Sequence, residues 1–407
     1  MSPSPKTVAI IGGGPAGLMA AQTLSQNPNL TVDLYEHKPS VGRKFLIAGR
    51  GGLNLTHSNA TPEFISAYGV GAAFLERFLS DFTPQMLIDW AADLGSETFV
   101  GSSGRIFPTE MKATKLMRNW TTRLADQRVR VQLHHSLIDF KADNQLIFLA
   151  KDGSEVAARA DAILFAMGGA SYPHLGSTGE WVKPFLKQGI KVRTLQPVNC
   201  GFDVKWSDFL VSKFAGQPLK NIRVLYKGAA SHGDLIFTEY GLEGGAIYEL
   251  SRELVTSLTT GATEIHLDFC PGQTLTQLTE RLDVPRQKQS LSNFLRKRLS
   301  LSALQIGLLH ETSRDLPGEA AQLTKLIKNV PITLTSPRPI ARAISSMGGI
   351  ILEELDSDLM LHKFPGCFAA GEMINWDAPT GGYLLQASFS TGRAAAKGIE
   401  KWLAARP

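Results

Sequence analysis

The chain has 407 residues, of which 43% are hydrophobic and 19% charged, and this balance excludes wholesale disorder and predicts two or three domains. Its three cysteines are far apart with no CxxC pair, so a disulfide framework and a thiolate zinc site are excluded and a reducing compartment is expected. A formal charge of +5 is mild for this length and names no polyanionic partner by itself.

Val8 to Ile11 is a short apolar run that predicts a strand buried on both faces. A helix from about Pro15 to Ser25 follows, ended by Asn27-Pro28-Asn29. Thr31 to Tyr35 reads as a second strand with Glu36 at its end. The apolar stretch from Val8 to Leu24 could pass for a signal peptide, but Gly12-Gly13-Gly14-Pro15 interrupt it and a nucleotide motif explains it better. No other stretch is long and apolar enough to span a membrane, and the expectation is a soluble, cytoplasmic protein.

Residues 62–98 read as helical, with Phe74, Leu75, Phe78 and Leu79 at three- and four-residue spacing. Residues 129–165 read as strands with a hairpin about Lys151-Asp152-Gly153, closing on Ala162 to Ala166. From Pro197 to about Pro271 the segments alternate as in an antiparallel sheet or barrel. Thr274 to Asn329 is helical, with Leu291, Phe294, Leu295 and Leu299 on one stripe. After Pro337-Arg338-Pro339 the chain returns to strand, glycine turn and helix. The predicted layout is a nucleotide domain from 1–196 and 337–407, a β-rich insert from 197–272 and 330–336, and a helical insert from 273–329.

Gly12-x-Gly14-x-x-Gly17 falls between the first strand and the first helix, with Glu36 ending the next strand. Gly12 permits the tight turn, Gly14 lets backbone approach a pyrophosphate, and Gly17 lets helix pack on strand; Ala16 lies within the same turn. The helix N-terminus offers free N–H groups to phosphate, and Glu36 can accept from a ribose hydroxyl. Near the C-terminus a strand ends in Gly371-Glu372, and Gly381-Gly382-Tyr383-Leu384-Leu385-Gln386 opens the last helix. A ligand reaching from Gly14 to this second helix N-terminus has the size of FAD, its ribityl chain passing Gly371 and Glu372. The flavin's pyrimidine edge would face the helix dipole near Gly382 and Tyr383. A second GxGxxG loop for NAD is absent, so FAD is favoured over NAD. Arg43 and Lys44 are solvated charges in the plainer reading; in the sharper one they pair with phosphate or ribose.

Further blocks carry a resemblance. They are Gly42 to Leu46, then Ala48 to Thr56 with Asn54 and Thr56, and Gly104-Arg105-Ile106-Phe107-Pro108. Ala166-Met167-Gly168-Gly169-Ala170-Ser171-Tyr172-Pro173 with Gly176-Ser177-Thr178-Gly179, and Gly233 to Thr238, complete the set. In this order, over residues 7–400, the chain resembles the BaiN/RdsA family of bacterial FAD-dependent oxidoreductases. The resemblance implies an α/β fold: a Rossmann-like FAD domain of glutathione-reductase type from both termini, a β-barrel-like insert and a small helical insert. It also implies the cofactor contacts at Gly51, Asn54, Ala166, Gly168 and Gln386. Members include NAD(P)H-linked reducers of conjugated C=C bonds in bile-acid steroids and in a ribosomal RNA uracil, and others are aminoacetone oxidases.

This chain departs from that pattern. The family's Gly-Gly-Arg-Cys-Asn is here Arg50-Gly51-Gly52-Leu53-Asn54, and the His after Thr238 is replaced by Glu239, with Glu243-Gly244-Gly245 where Ser-Gly-Pro is usual. A different substrate is expected. A reductase of this kind passes hydride from the flavin and needs an acid for the second carbon. His57, Glu239, Tyr240 and Glu243 are the candidates, each with a plainer reading as a cap or solvated loop residue. Two more readings stand open: an amine oxidase, and a flavoprotein acting on or binding RNA. For the latter, residues 273–330 hold nine Lys/Arg against five acids, with Arg286, Lys288, Arg296, Lys297 and Arg298 crowded together.

Overall fold

The computed structural model describes residues 5–49, 51–313 and 315–406. The chain divides into two compact units, one built from its start through Gln196 and from Ser345 onward, the other from Pro197–Ile344.

The first unit is organised on a five-stranded parallel sheet. In chain order its elements are β1 (Lys6–Ile11), α1 (Pro15–Leu24), β2 (Leu30–Glu36), α2 (Arg43–Ala48), α3 (Ala113–Asp126), β3 (Arg130–Leu133), β4 (Ala162–Phe165), β5 (Cys367–Ala369) and α4 (Tyr383–Ala404). The strand order is β5-β4-β1-β2-β3. Val8 and Ile10 of β1 and the whole of β4 are fully buried, as the uninterrupted apolar runs require of central strands. The chain leaves β1 toward β2 on one side and later returns to β4 on the other. The carboxyl end of β1 is therefore a topological switch point, where ligands of open α/β sheets bind. Two small antiparallel sheets flank this core, Ser136–Phe140 with Gln145–Leu149 and Glu155–Arg159, and Thr56–His57 with Arg105–Pro108 and Thr98–Val100. Helix α4 is the longest, and Gly392 lets its backbone close on Ala16 of α1.

The second unit carries a seven-stranded antiparallel sheet, in the order Val330–Leu334, Thr263–Asp268, Pro218–Tyr226, Ala229–Phe237, Gly241–Glu243, Phe202–Asp203, Ser336–Pro337. The four helices between Leu275 and Lys328 leave and rejoin this sheet at one point, because Leu267 faces Val330 in adjacent strands. Thr274 and Ser302 start two of them with complete capping boxes. The unit ends later than the sequence places it. Pro337 pairs with Phe202, and the Arg338 and Ile344 N–H groups bond to Gly201 and Asn199, so residues 337–344 belong with the sheet and not with the nucleotide domain. Strand pairing across more than a hundred residues decides this boundary, not the local Pro-Arg-Pro break. Among the described residues no helix is long and apolar enough to cross a membrane.

Candidate functional site: a dinucleotide cleft at the switch point

At the end of β1 the chain turns through Gly12 (φ +111°) and enters α1 at Gly14. A Cβ on Gly17 would overlap the Gly12 carbonyl, so this glycine sets the close packing of helix on strand. At Gly14 a Cβ would meet no atom within 4 Å, and this residue lines an open cleft.

Gly12, Gly14, Ala16, Glu36, Arg43, Lys44, Ala166, Gly168, Gly371 and Glu372 all line this one cleft. Glu36 is buried and held from two sides: Oε2 accepts from the Gly13 N–H (2.9 Å) and Oε1 from the Lys38 N–H (2.8 Å). Burial alone would raise its pKa, but hydrogen bonds from His37, Lys38 and Gly13 outweigh it and hold the carboxyl below its ordinary value. An ionised acceptor is thus fixed beside the glycine loop. Lys44 donates to Ser171 Oγ and to Glu372 Oε2, both at 2.7 Å, and Glu372 Oε1 accepts from the Ser346 N–H at 2.9 Å. Three buried polar atoms on the cleft lining, His37 Nε2, Arg43 Nε and Ser177 Oγ, lack a hydrogen-bond partner among the described residues. Unpaired donors and acceptors, free α1 N–H groups and an open Gly14 are what a bound dinucleotide would complete.

Gly17 lies beneath the loop as a packing residue, and the other expected residues lie off the cleft. Gly382 (φ +93°) caps α4, and a Cβ there would stand 2.6 Å from the Thr56 backbone. Tyr383 is turned into the protein: its ring is stacked between Phe64 (4.8 Å) and His57 (5.3 Å), and its hydroxyl accepts from Asn59 Nδ2 at 3.0 Å. Tyr68 donates to the Tyr383 carbonyl at 2.8 Å, and its own pKa is pushed well up by burial. Gln386 is fully buried and donates to the Phe82 carbonyl at 2.7 Å, a bond that ties α4 to the helix ending at Asp81. Gly51 is exposed, Asn54 has a buried unpartnered Oδ1, and Arg50 lies outside the described residues.

His57 uses both ring nitrogens locally. Nε2 lies 2.9 Å from the Ser103 carbonyl, to which it donates, and Nδ1 accepts from the Asn59 N–H at 3.2 Å. Burial lowers its pKa, and Arg105 adds to this. Glu239 and Glu243 belong to the second unit. Glu239 is exposed, whereas Glu243 Oε2 accepts from the Tyr240 hydroxyl at 2.6 Å. Arg338 stacks on the Tyr240 ring at 3.9 Å and pairs with Asp203 at 3.0 Å. Burial, then Glu243, pushes the Tyr240 pKa up to about 12. Sequence reasoning does not single out His37 or Ser177; their signal is three-dimensional, two orphaned atoms meeting one cleft.

The HI0933-like protein Rossmann domain family matches residues 6–398. The chain is 23% identical over 405 residues to a 3-dehydro-bile acid delta(4,6)-reductase of Clostridium scindens, covering 96% of this chain and 98% of that one. It is 25% identical over 406 residues to a ribosomal RNA dihydrouridine synthase of Escherichia coli, covering 96% and 97%. Among solved structures it is similar to a 3-ketosteroid delta1-dehydrogenase from Sterolibacterium denitrificans, with a TM-score of 0.53, 12% identity, and coverage of 97% of this chain and 100% of that one. The family match spans both units, and the glycine loop, Glu36 and the Gly371-Glu372 turn meet at the switch point of its Rossmann sheet: the chain belongs to the HI0933-like family, the Rossmann FAD-binding oxidoreductases of BaiN/RdsA type.

Proposed function

We propose that this protein is an FAD-dependent reductase of an activated C=C bond, with NAD(P)H as a transient reductant. The observation that carries the reading is the cleft at the β1 switch point, which joins an ionised Glu36, an open Gly14 and unpaired polar atoms within one Rossmann unit. FAD held in this cleft would supply the two-electron, hydride-transfer chemistry between NAD(P)H and the electron-poor carbon. The chain's own residues do the rest. Glu36 would accept from ribose hydroxyls, the α1 N-terminus would hold the pyrophosphate, and Arg43 would add a cation. Lys44, fixed by Glu372 and Ser171, holds a positive charge in the cleft. The second carbon needs a proton, and Glu243 with its Tyr240 contact is the better candidate than Glu239. His57 is a loop-positioning residue in this reading, because both its nitrogens are engaged.

Activity of the bile-acid reductase relative supports C=C reduction, and the departures at Leu53 and Glu239 support a different substrate. Anaerobic titration with NADPH should bleach the flavin band, and air should restore it only slowly. An enzyme bleached by a small amine and reoxidised within milliseconds by oxygen would instead be the amine oxidase.

A uracil in RNA is also an activated C=C compound, and the synthase relatives give this second reading its support. Arg286, Lys288, Arg296, Lys297 and Arg298 are all exposed, while Arg314 lies outside the described residues. Neutralising Arg296, Lys297 and Arg298 together should flatten the salt dependence of RNA binding, by about 0.7 per single-strand phosphate contact. RNA affinity with an unchanged slope would remove this patch as the contact.

A further inference from the structure

The small sheet that contains Ser136–Phe140 ends in an open edge. Its outermost strand is Glu155–Arg159, paired on one side only with Gln145–Leu149. At one end of this pairing the Ala150 N–H donates to the Ser154 carbonyl at 2.9 Å, and at the other the Ala160 N–H donates to the Asn144 carbonyl at 3.4 Å. Backbone direction alternates along a strand, so residues 154, 156, 158 and 160 turn their N–H and C=O groups toward Gln145–Leu149. The N–H and C=O groups of Glu155, Ala157 and Arg159 point the other way, and no other described residue bonds to them.

The same three residues are exposed, while Val156 and Ala158 are half-buried opposite the fully buried Phe148 and Leu146. The edge is thus backed by the core and open on its far side. Such an edge is a template for another strand unless charge or proline blocks it. Here the two charges have opposite signs and stand symmetrically about Ala157. Turned antiparallel about a two-fold axis at Ala157, the strand meets itself with Glu155 opposite Arg159 and Arg159 opposite Glu155. The facing pairs fall on the residues whose backbone groups are free, so each pair can exchange both N–H···O bonds. Opposite charges facing one another across an antiparallel pair attract, where like charges would repel. Arg159 pairs with Asp143 of its own chain, but both side chains keep more than half of their surface, which leaves the guanidinium room for a second carboxylate.

We propose that strand Glu155–Arg159 is an interface between two copies of this chain, which join their small sheets into one continuous sheet about a two-fold axis. An edge of five residues is small for a protein interface, so the dimer forms at micromolar and not nanomolar concentration. Sedimentation velocity of the purified protein from about 1 to 200 µM should show the mass rising from one chain to two. Glu155→Arg and Arg159→Glu each set like charges opposite one another at both symmetry-related positions, and each should raise the dimer Kd about tenfold or more. An equal mixture of the two variants should dimerise as wild type does, because each like-charged strand then faces its opposite. That recovery separates a lost interface from a misfolded chain. Ala157→Pro, which removes an N–H pointing away from its own sheet, should leave a single chain. Wild-type protein that stays a single chain throughout the range, a dimer that either reversal or Ala157→Pro leaves unchanged, or a mixture that does not recover would overturn the interface.

Discussion

Lys44 Nζ lies 2.7 Å from Glu372 Oε2, tying the first turn of α2 to the turn after β5 inside the wall of the cleft. Glu372 is nearly buried, with 8% of its side chain exposed, and Lys44 keeps 24%. Such a pair costs desolvation to form, and removing one partner leaves the other uncompensated.

Glu372→Gln should therefore destabilise the protein by about 1–3 kcal/mol, less than a fully buried pair because Lys44 still reaches solvent. Lys44→Met should cost a similar amount. The double variant should cost clearly less than the two single losses combined, which a urea double-mutant cycle measures. Additive losses would mean that the pair contributes no coupling.

Glu36 gives a pH dependence with a definite sign. Its folded pKa is depressed, so its contribution to stability is present above the ordinary value of 4.5 and is lost as pH falls through the lower folded value. Melting of wild-type protein should steepen on the acid side of pH 4.5, and Glu36→Gln should flatten that limb while being less stable at pH 7. An acid limb identical in the two proteins would contradict the assignment.

Much of this cleft was legible in the sequence because its chemistry is local. Gly12, Gly14, Gly17 and Glu36 follow from one turn and the strand beside it, and Gly371-Glu372 from another strand end. Helix α3 was not among the elements expected from the sequence, although Ala113, Leu116, Met117, Trp120 and Leu124 recur at helical spacing and are all buried. Tyr383 was not legible, since its ring direction is set by Phe64 and His57, which reach it only through tertiary packing. The same holds for Ser336-Pro337, whose membership is decided by Phe202 and Asp203 rather than by neighbouring prolines.

The proton donor is tested by separating the two half-reactions. Glu243→Gln should leave flavin reduction by NADPH unchanged and slow reoxidation by the organic acceptor about 10²-fold or more. Tyr240→Phe should lower the same step less, because it removes only the hydroxyl that contacts the carboxylate. Unchanged reoxidation in Glu243→Gln, with a loss in Glu239→Gln, would transfer the role to Glu239.

The absorbance spectrum of purified protein, wild type against Gly14→Val, tests the central claim most directly. Gly14 lines the cleft, where a Cβ meets no protein atom within 4 Å and a valine side chain would fill the room for a pyrophosphate. Wild-type protein should carry the flavin band near one FAD per chain, and a folded Gly14→Val protein should be colourless. A folded Gly14→Val protein that retains full FAD would contradict the account.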